Sequence, residues 1–321
     1  MSAQIPPAPV DPAAAAAGRS KVTVRTVAAK RKSGDAITML TAYDYPSAQI
    51  GDAAGMDMLL VGDSLAMVVL GHENTLSVTV DEMLHHCRAV KRGAAAAMLI
   101  GDMPFMSYQV DVPSALRNAG RFLQEGGMDA VKLEGGRSVV PQVQAIVAAG
   151  IPVMGHIGLT PQSIHALGGF RVQGKTSAEA KRLLDEALAL QAAGCYSIVL
   201  ESVPDRLAAD ITRRLAIPTI GIGAGAGTSG QVLVFHDVLG LFERFTPKFV
   251  RRYAELGVAA RDAIRQYADD VAAHSFPAAE HTFTMSDEAW QAYSALADGP
   301  PSASSPSARR RTGVTAPTSP R

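Results

Sequence analysis

The sequence predicts an α/β fold, a (β/α)8 TIM barrel, on three observations. Eight short apolar runs alternate with stretches of helical periodicity along the 321 residues. The runs are apolar at consecutive positions, as in parallel strands buried on both faces. Nearly every run ends on a polar side chain, at the end where such a barrel gathers its active site. An open, doubly wound sheet is the alternative; it would set a ligand at one switch point instead of drawing residues from five strand ends.

Ordered structure is expected from Val22. Thr23 to Arg31 reads as a short helix and Ile37 to Tyr43 as the first strand, ending at Asp44. Small and apolar residues at helical spacing fill Tyr45 to Ala54, and Gly55 stops that helix. The second strand, from Met58, runs into Gly62, Asp63 and Ser64. The loop that follows, Met67 to Thr79, is long enough to carry function. Asp81 to Arg92 places Met83, Leu84, Cys87 and Val90 on one helical face, and the third strand ends at Asp102. Ser114 to Gln124 is the next helix, closed by Gly126 and Gly127, and the fourth strand is Ala130 to Glu134. A helix over Val139 to Ala149 leads to the fifth strand, Pro152 to His156.

A second long loop, Ile157 to Ser177, holds Thr160, Pro161, Gln162, Gly168, Gly169 and Gly174. Ala178 to Ala193 is strongly amphipathic. The sixth strand, Ser197 to Leu200, ends on Glu201, and Pro204 to Leu215 is a helix with proline at its start. Pro218 to Ile222 is the seventh strand, and the eighth, Gln231 to Phe235, ends at His236 and Asp237. Pro247 to Ala273 adds further helix. From about Asp298 to Arg321 proline, serine and arginine recur without periodicity, and disorder is expected.

Lysine plus arginine equal aspartate plus glutamate at 30 each, which argues against general affinity for nucleic acid or an anionic membrane surface. No apolar run reaches the roughly 18 residues needed to span a bilayer. Residues 1–21 are rich in proline and alanine and lack the basic and apolar regions of a secretory signal; they are expected to be a disordered extension. Cys87 and Cys195 lie in no metal-ligand spacing and read as small buried hydrophobes in a reduced, cytoplasmic protein.

Asp63, Asp102 and Glu134 are hard oxygen donors at three strand ends. If they converge they suit Mg2+, which takes a few carboxylates and keeps positions for water and substrate. Each acid could instead cap a following helix or pair with a lysine. Lys132, two residues before Glu134, points to the same face; inside a barrel it must pair with a carboxylate or bind an anionic substrate. Glu201, emerging from an apolar strand, is a candidate general base or a salt-bridged structural acid. His156 could orient a substrate oxygen, carry a proton, or be a structural histidine. His85 and His86 read as a solvated edge plus one core residue. The glycines from Gly223 to Gly230 resemble the phosphate-cradling loops of many barrels, although tight turns alone would need them too.

A family resemblance rests on ungapped motifs in order. They are Val-Gly-Asp-Ser-Leu at 61–65, Gly-Asp-Met-Pro-Phe at 101–105, Val-Lys-Leu-Glu-Gly-Gly at 131–136 and Gly-His-Ile-Gly-Leu-Thr-Pro-Gln-Ser at 155–163. Leu-Glu at 200–201, Ile-Gly-Ile-Gly-Ala-Gly at 220–225 and Glu-His-Thr-Phe at 280–283 follow. Together they resemble the ketopantoate hydroxymethyltransferases, from about Val22 to Phe283. Ala66 departs from the glycine of many members, and the chain after about Thr284 falls outside the pattern.

The resemblance implies a barrel of the phosphoenolpyruvate/pyruvate type. It implies a Mg2+-dependent enzyme, with one ion per subunit, that moves a one-carbon unit from 5,10-methylenetetrahydrofolate onto 3-methyl-2-oxobutanoate, giving 2-dehydropantoate for pantothenate and coenzyme A synthesis. Carried over by motif, Asp63, Asp102 and Glu134 would hold the metal, Asp63, Ser64, Asp102 and Lys132 would contact the oxo acid, and Glu201 would be the base; His156 joins them as a substrate-binding candidate. The implied domains are a catalytic barrel over 22–283 and a largely disordered extension over 284–321. A cytoplasmic homo-oligomer, commonly a decamer of two five-membered rings, is implied too. A Mg2+-dependent barrel of the isocitrate lyase or phosphoenolpyruvate mutase kind, acting without folate, is the alternative enzyme. A non-catalytic sensor of organic acids is the other alternative, and it would leave Glu201 without a purpose.

Overall fold

The structure is a computed structural model that describes residues 18–299. The disorder expected within residues 1–17 and 300–321 lies outside the described residues. Helix α1 (Val24–Ser33) starts at Thr23, whose hydroxyl accepts from Thr26 N–H, and stops at Gly34, which adopts the left-handed backbone at φ 83°. Alternation then proceeds through β1 (Ile37–Thr41), α2 (Tyr45–Ala53), β2 (Met58–Val61), α3 (Leu65–Val68), α4 (Val80–Gly93), β3 (Met98–Asp102), α5 (Val112–Gln124), β4 (Ala130–Glu134), α6 (Val140–Ala148) and β5 (Val153–Gly158). It continues with α7 (Ile164–Leu167), α8 (Ser177–Ala192), β6 (Ser197–Glu201), α9 (Asp205–Arg214), β7 (Thr219–Ile222), β8 (Gly230–Leu233), α10 (Phe235–Val238), α11 (Leu256–Ala272) and α12 (Asp287–Ala297).

All eight strands pair in parallel with their sequence neighbours, and β8 closes onto β1, so the sheet is the closed barrel that the apolar runs predict. Two apolar clusters divide the strand residues between them. Met39, Met58, Leu60, Met98, Ile100, Ala130, Met154, Val199, Ile220 and Val232 fill one, with Val22 and Val27 closing it beside α1. Intervening residues such as Leu59, Leu99, Val131, Leu133 and Leu200 join the other, with helix residues Met83, Phe122, Ile146 and Leu190. This two-residue period assigns the first cluster to the barrel interior and the second to the helix layer.

The structure departs from the sequence reading in five places. The start of the first long loop winds into α3, and the second long loop contains a 3-10 turn, Pro161–Ser163, followed by α7. Strand β8 stops at Leu233, and His236 and Asp237 lie in α10 beyond it, because Thr41 Oγ1 takes the Phe235 N–H that a longer strand would have given to its neighbour. Residues 247–255 form no helix, and α11 begins at Leu256. Residues 287–297, inside the segment expected to be largely disordered, form α12, whose Ser286 hydroxyl accepts from Ala289 N–H. By internal contacts the described residues form one compact unit up to Ala260 and a second from Arg261. In the second unit the rings of Tyr267, Phe276 and His281 pack in series, and α12 has no buried residue.

No helix joins β7 to β8. On the outside of β1 and β8 a cleft of about 770 Å3 is lined by Thr38, Leu40, Gln231, Leu233, Phe249 and Tyr253. The carboxylates singled out from the sequence do not line it.

Candidate active site

The period that places Ile100 and Ala130 in the barrel interior also places Asp102, Lys132 and Glu134 there, one or two pairs further along β3 and β4. Register confirms the levels: Asp102 pairs with Lys132, Glu134 with His156, and Gly158 with Glu201. Asp63 lies beyond β2, past Gly62, and its place depends on the turn into α3. Its N–H donates to Asp102 Oδ2 at 3.2 Å, which ties the ends of β2 and β3 together.

Lys132 Nζ donates to Asp102 Oδ1 at 2.6 Å, with both side chains buried. His156 is 2% exposed and lies between two acids: Nδ1 is 3.4 Å from Glu134 Oε1 and Nε2 is 3.2 Å from Glu201 Oε2. Neither ring nitrogen is aligned for a hydrogen bond, so these contacts act through charge, and only when the ring is protonated. The Glu201 side chain is 16% exposed, against 2–3% for Asp102, Glu134 and His156, so it is the acid of this group that meets the open mouth of the barrel. Ser202, next to Glu201, holds a left-handed backbone at φ 49°, a conformation that costs a non-glycine residue about 1–2 kcal/mol. Gly158 lacks a Cβ where one would strike the Glu201 carbonyl, which lets β5 and β6 close at this level.

Burial dominates the electrostatics of Asp63 and, with repulsion from Asp102 and Glu134, pushes its carboxyl well above the ordinary range. Burial also raises Asp102, against the pull of Lys132. Glu134 is buried too, but His156 and Lys132 hold it below the ordinary range. Burial works against the charge of Lys132, and Asp102, Glu134 and Asp63 overcome it. His156 is likewise penalised by burial and by Lys132, yet Glu134 and Glu201 raise it to about 9. Four acids thus face Lys132 and His156.

None of the three interior acids caps a helix. Ser64 occupies the cap position of α3 and Asp111 that of α5, while Gly136 precedes the 3-10 turn after β4. Ser64 Oγ instead lies 2.9 Å from Tyr43 Oη, a buried phenol that packs on His236 at 5.4 Å between ring centres. His85 is exposed and His86 Nδ1 is 2.6 Å from Tyr43 O, in keeping with the edge-and-core reading. Both cysteines are buried and free. Sequence reasoning passed over Tyr43 and Tyr108 as site residues and named Gln162 in the second long loop and in a motif without giving it a role. Gln162 is 4% exposed and hydrogen-bonded to Asp63 and Glu134, and Tyr108 Oη hydrogen-bonds Gln162 and the Glu134 backbone.

Among the described residues no three His, Cys, Asp or Glu side chains form a ready-made metal cage. The gathered oxygen-donor acids, Asp63, Asp102 and Glu134, nevertheless fit Mg2+, which is ordinarily held by one or two carboxylates with water and substrate completing the shell. No described helix is long and apolar enough to cross a membrane.

Comparison with known proteins gives a consistent result. The family model for ketopantoate hydroxymethyltransferase matches residues 21–279. A 3-methyl-2-oxobutanoate hydroxymethyltransferase of Oleidesulfovibrio alaskensis is 63% identical over 252 residues, covering 78% of this chain and 87% of that one. A protein of the same name from Moorella thermoacetica is 58% identical over 267 residues, covering 83% and 99%. Among solved structures, phosphonopyruvate hydrolase in complex with oxalate and Mg2+ superposes with a TM-score of 0.54 at 13% identity, covering 85% of this chain and 95% of that one. For 2,3-dimethylmalate lyase, a member of the phosphoenolpyruvate mutase/isocitrate lyase superfamily, the TM-score is 0.52 at 16% identity, with the same coverage. At these identities the likeness is one of fold.

Proposed function

Because the chain belongs to the ketopantoate hydroxymethyltransferase family, and is therefore a transferase, we propose that it transfers a hydroxymethyl group from 5,10-methylenetetrahydrofolate to 3-methyl-2-oxobutanoate. The product is 2-dehydropantoate, the first intermediate of pantothenate synthesis. The observation that carries this reading is the gathering of buried acids and two cations from β2 to β6 around one barrel mouth, with Glu201 at its more open side. The catalytic unit is taken as residues 22–283, acting as a cytoplasmic homodecamer.

Glu201 is the base. Its carboxylate takes the C3 proton of the oxo acid, the electrons of the C–H bond pass toward the ketone oxygen, and the resulting carbon nucleophile attacks the methylene group carried by the folate. Both bonds from that methylene carbon to the folate nitrogens break with their electron pairs staying on nitrogen, water supplies the hydroxyl oxygen, and tetrahydrofolate leaves carrying the proton taken from C3 and one proton of the water. His156, with Nε2 3.2 Å from Glu201 Oε2, holds Glu201 in place. Lys132 and Ser64 offer donors to the oxo acid, with Asp63 and Asp102 beside them. Asp63, Asp102 and Glu134 would hold Mg2+, which when bound supplies positive charge where negative charge develops on the ketone oxygen.

Proton NMR of 3-methyl-2-oxobutanoate in D2O tests the reading. The C3 proton signal should vanish with the protein and Mg2+, persist without the ion, and give way to 2-dehydropantoate once methylenetetrahydrofolate is added. Exchange with no product on folate addition would favour folate-free chemistry of the isocitrate lyase kind; absence of both exchange and product would overturn the proposal.

A further inference from the structure

Gln162 is the most fully engaged side chain at the barrel mouth. Its Nε2 donates to Asp63 Oδ2 at 2.9 Å and to Met103 O at 3.0 Å. Its Oε1 accepts from Tyr108 Oη at 2.7 Å and from Gln109 Nε2 at 3.1 Å. Its backbone N–H donates to Glu134 Oε2 at 3.0 Å. Both amide protons and both lone pairs are used, so the amide cannot flip: reversed, its oxygen would face a carboxylate and a carbonyl. Tyr108 fixes the far side, since Glu134 N–H donates to its hydroxyl at 3.0 Å. The residue therefore joins the ends of β2 and β4, the loop after β3 and its own loop after β5.

Its chemistry suits a task next to a cation. An amide neutralises nothing, so the negative charge of the site stays available, whereas a lysine or arginine in the same place would compete with a metal. The side-chain amide occupies Oδ2 of Asp63 and the backbone N–H of the same residue occupies Oε2 of Glu134, leaving the other oxygen of each acid to face elsewhere. Groups that hydrogen-bond to metal ligands in this way fix the orientation of the ligand and tune its affinity.

We propose that Gln162 is a positioning residue for the metal site: its side-chain amide, fixed by Tyr108, holds Asp63 directly and seats the loop whose backbone N–H holds Glu134, in the orientation that a hard divalent cation requires. The proposal rests on the reading of Asp63 and Glu134 as metal ligands. It predicts that loss of the amide weakens cation binding in the absence of any substrate and that the fold survives.

The test uses the full-length protein without substrate, titrated with Mn2+ and followed by the electron paramagnetic resonance of the free ion, with thermal melts in parallel. Gln162→Met keeps the length and removes the amide; Mn2+ affinity should fall by roughly 10- to 100-fold, the range for lost partners of metal ligands. In turnover, the Mg2+ concentration for half-maximal rate should rise by a larger factor than kcat at saturating Mg2+ falls. Tyr108→Phe should weaken Mn2+ binding in the same direction by a smaller factor, and it decides the matter if Gln162→Met does not fold. Wild-type affinity in a folded Gln162→Met protein, or in Tyr108→Phe where that variant must decide, would overturn the role of Gln162. Failure of the wild-type protein to bind Mn2+ would instead overturn the metal-site reading itself.

Discussion

The barrel carries buried and half-buried acids at both ends, and the two sets are built differently. At the N-terminal ends of the strands, Asp52 accepts from the N–H groups of Ala95, Ala96 and Ala97 at 2.7–3.1 Å. Asp57 accepts from Lys30, Thr38 N–H and Thr38 Oγ1, and Asp129 from Leu99 N–H and Lys21. Burial opposes ionisation of Asp52 and Asp57, yet these donors hold both below the ordinary carboxylate range. At the C-terminal ends, Asp63 and Asp102 are raised by burial, and in both Glu134 adds repulsion. The lower acids are saturated by the chain itself and join its elements. The upper acids are gathered in excess of their donors, an arrangement that costs stability and persists in active sites.

The largest effect that would sharpen this contrast is at Glu201. Glu201→Gln should lower kcat by roughly 10²- to 10⁴-fold, the range for a lost general base, with Mn2+ affinity and melting temperature near wild type. Loss of binding and folding together would make Glu201 a structural acid like those below.

Asp52→Ala should come next. It strips the acceptor from the buried N–H groups of Ala96 and Ala97 and the half-buried one of Ala95, at about 1 kcal/mol or more each for the buried pair, so urea denaturation should show a loss of roughly 2–4 kcal/mol. Its mirror at the mouth is Asp63→Asn. Removing that charge relieves repulsion from Asp102 and Glu134, so without divalent ions the variant should be more stable by about 1 kcal/mol while losing Mn2+ binding. Destabilisation by Asp63→Asn in EDTA would break the comparison.

The pH dependence of stability in EDTA separates the two ends further. His156 has a folded value of about 9, above the ordinary 6.5, so its contribution is fully present below pH 6.5 and is lost as pH rises through 9. Because its ion pairs lack hydrogen-bond alignment, the loss should be on the order of 2 kcal/mol. Asp52 and Asp57 act in the opposite sense: their folded values are depressed, so their contribution is present above about pH 4 and is lost as pH falls below it. A His156→Gln variant should flatten the alkaline limb alone, and an unchanged limb would show that His156 is neutral in the folded protein. The smallest effect is expected on the exposed helix surface, where Lys181→Ala removes the pair with Asp185 and should shift stability by less than about 0.5 kcal/mol in the same urea titration.

Much of the mouth was legible because a strand converts sequence into direction. Asp102, Lys132, Glu134, His156 and Glu201 extend two-residue periods whose earlier members are apolar and interior, so facing inward follows from the pattern. Helix-cap readings for the acids could be dismissed only once the caps were seen at Ser64 and Asp111. Asp57 and Asp129 stand immediately before strands, as conspicuous by position as Asp63 is after one, yet the sequence does not say which backbone groups will reach them. Gln162 was visible within a motif but without a role, because its partners lie 28 to 99 residues away and meet it only through loop geometry.

The amino-acid sequence by itself determined the closed parallel barrel, the strand ends that bring polar side chains to its mouth and the family to which the chain belongs. All three depend on local periodicity and on motifs contiguous along the chain. Tertiary structure alone decided where β8 stops, that residues 287–297 are helical, and which amide clasps Asp63 and Glu134. Those outcomes depend on which distant donors and acceptors meet, a competition that no short stretch of sequence encodes.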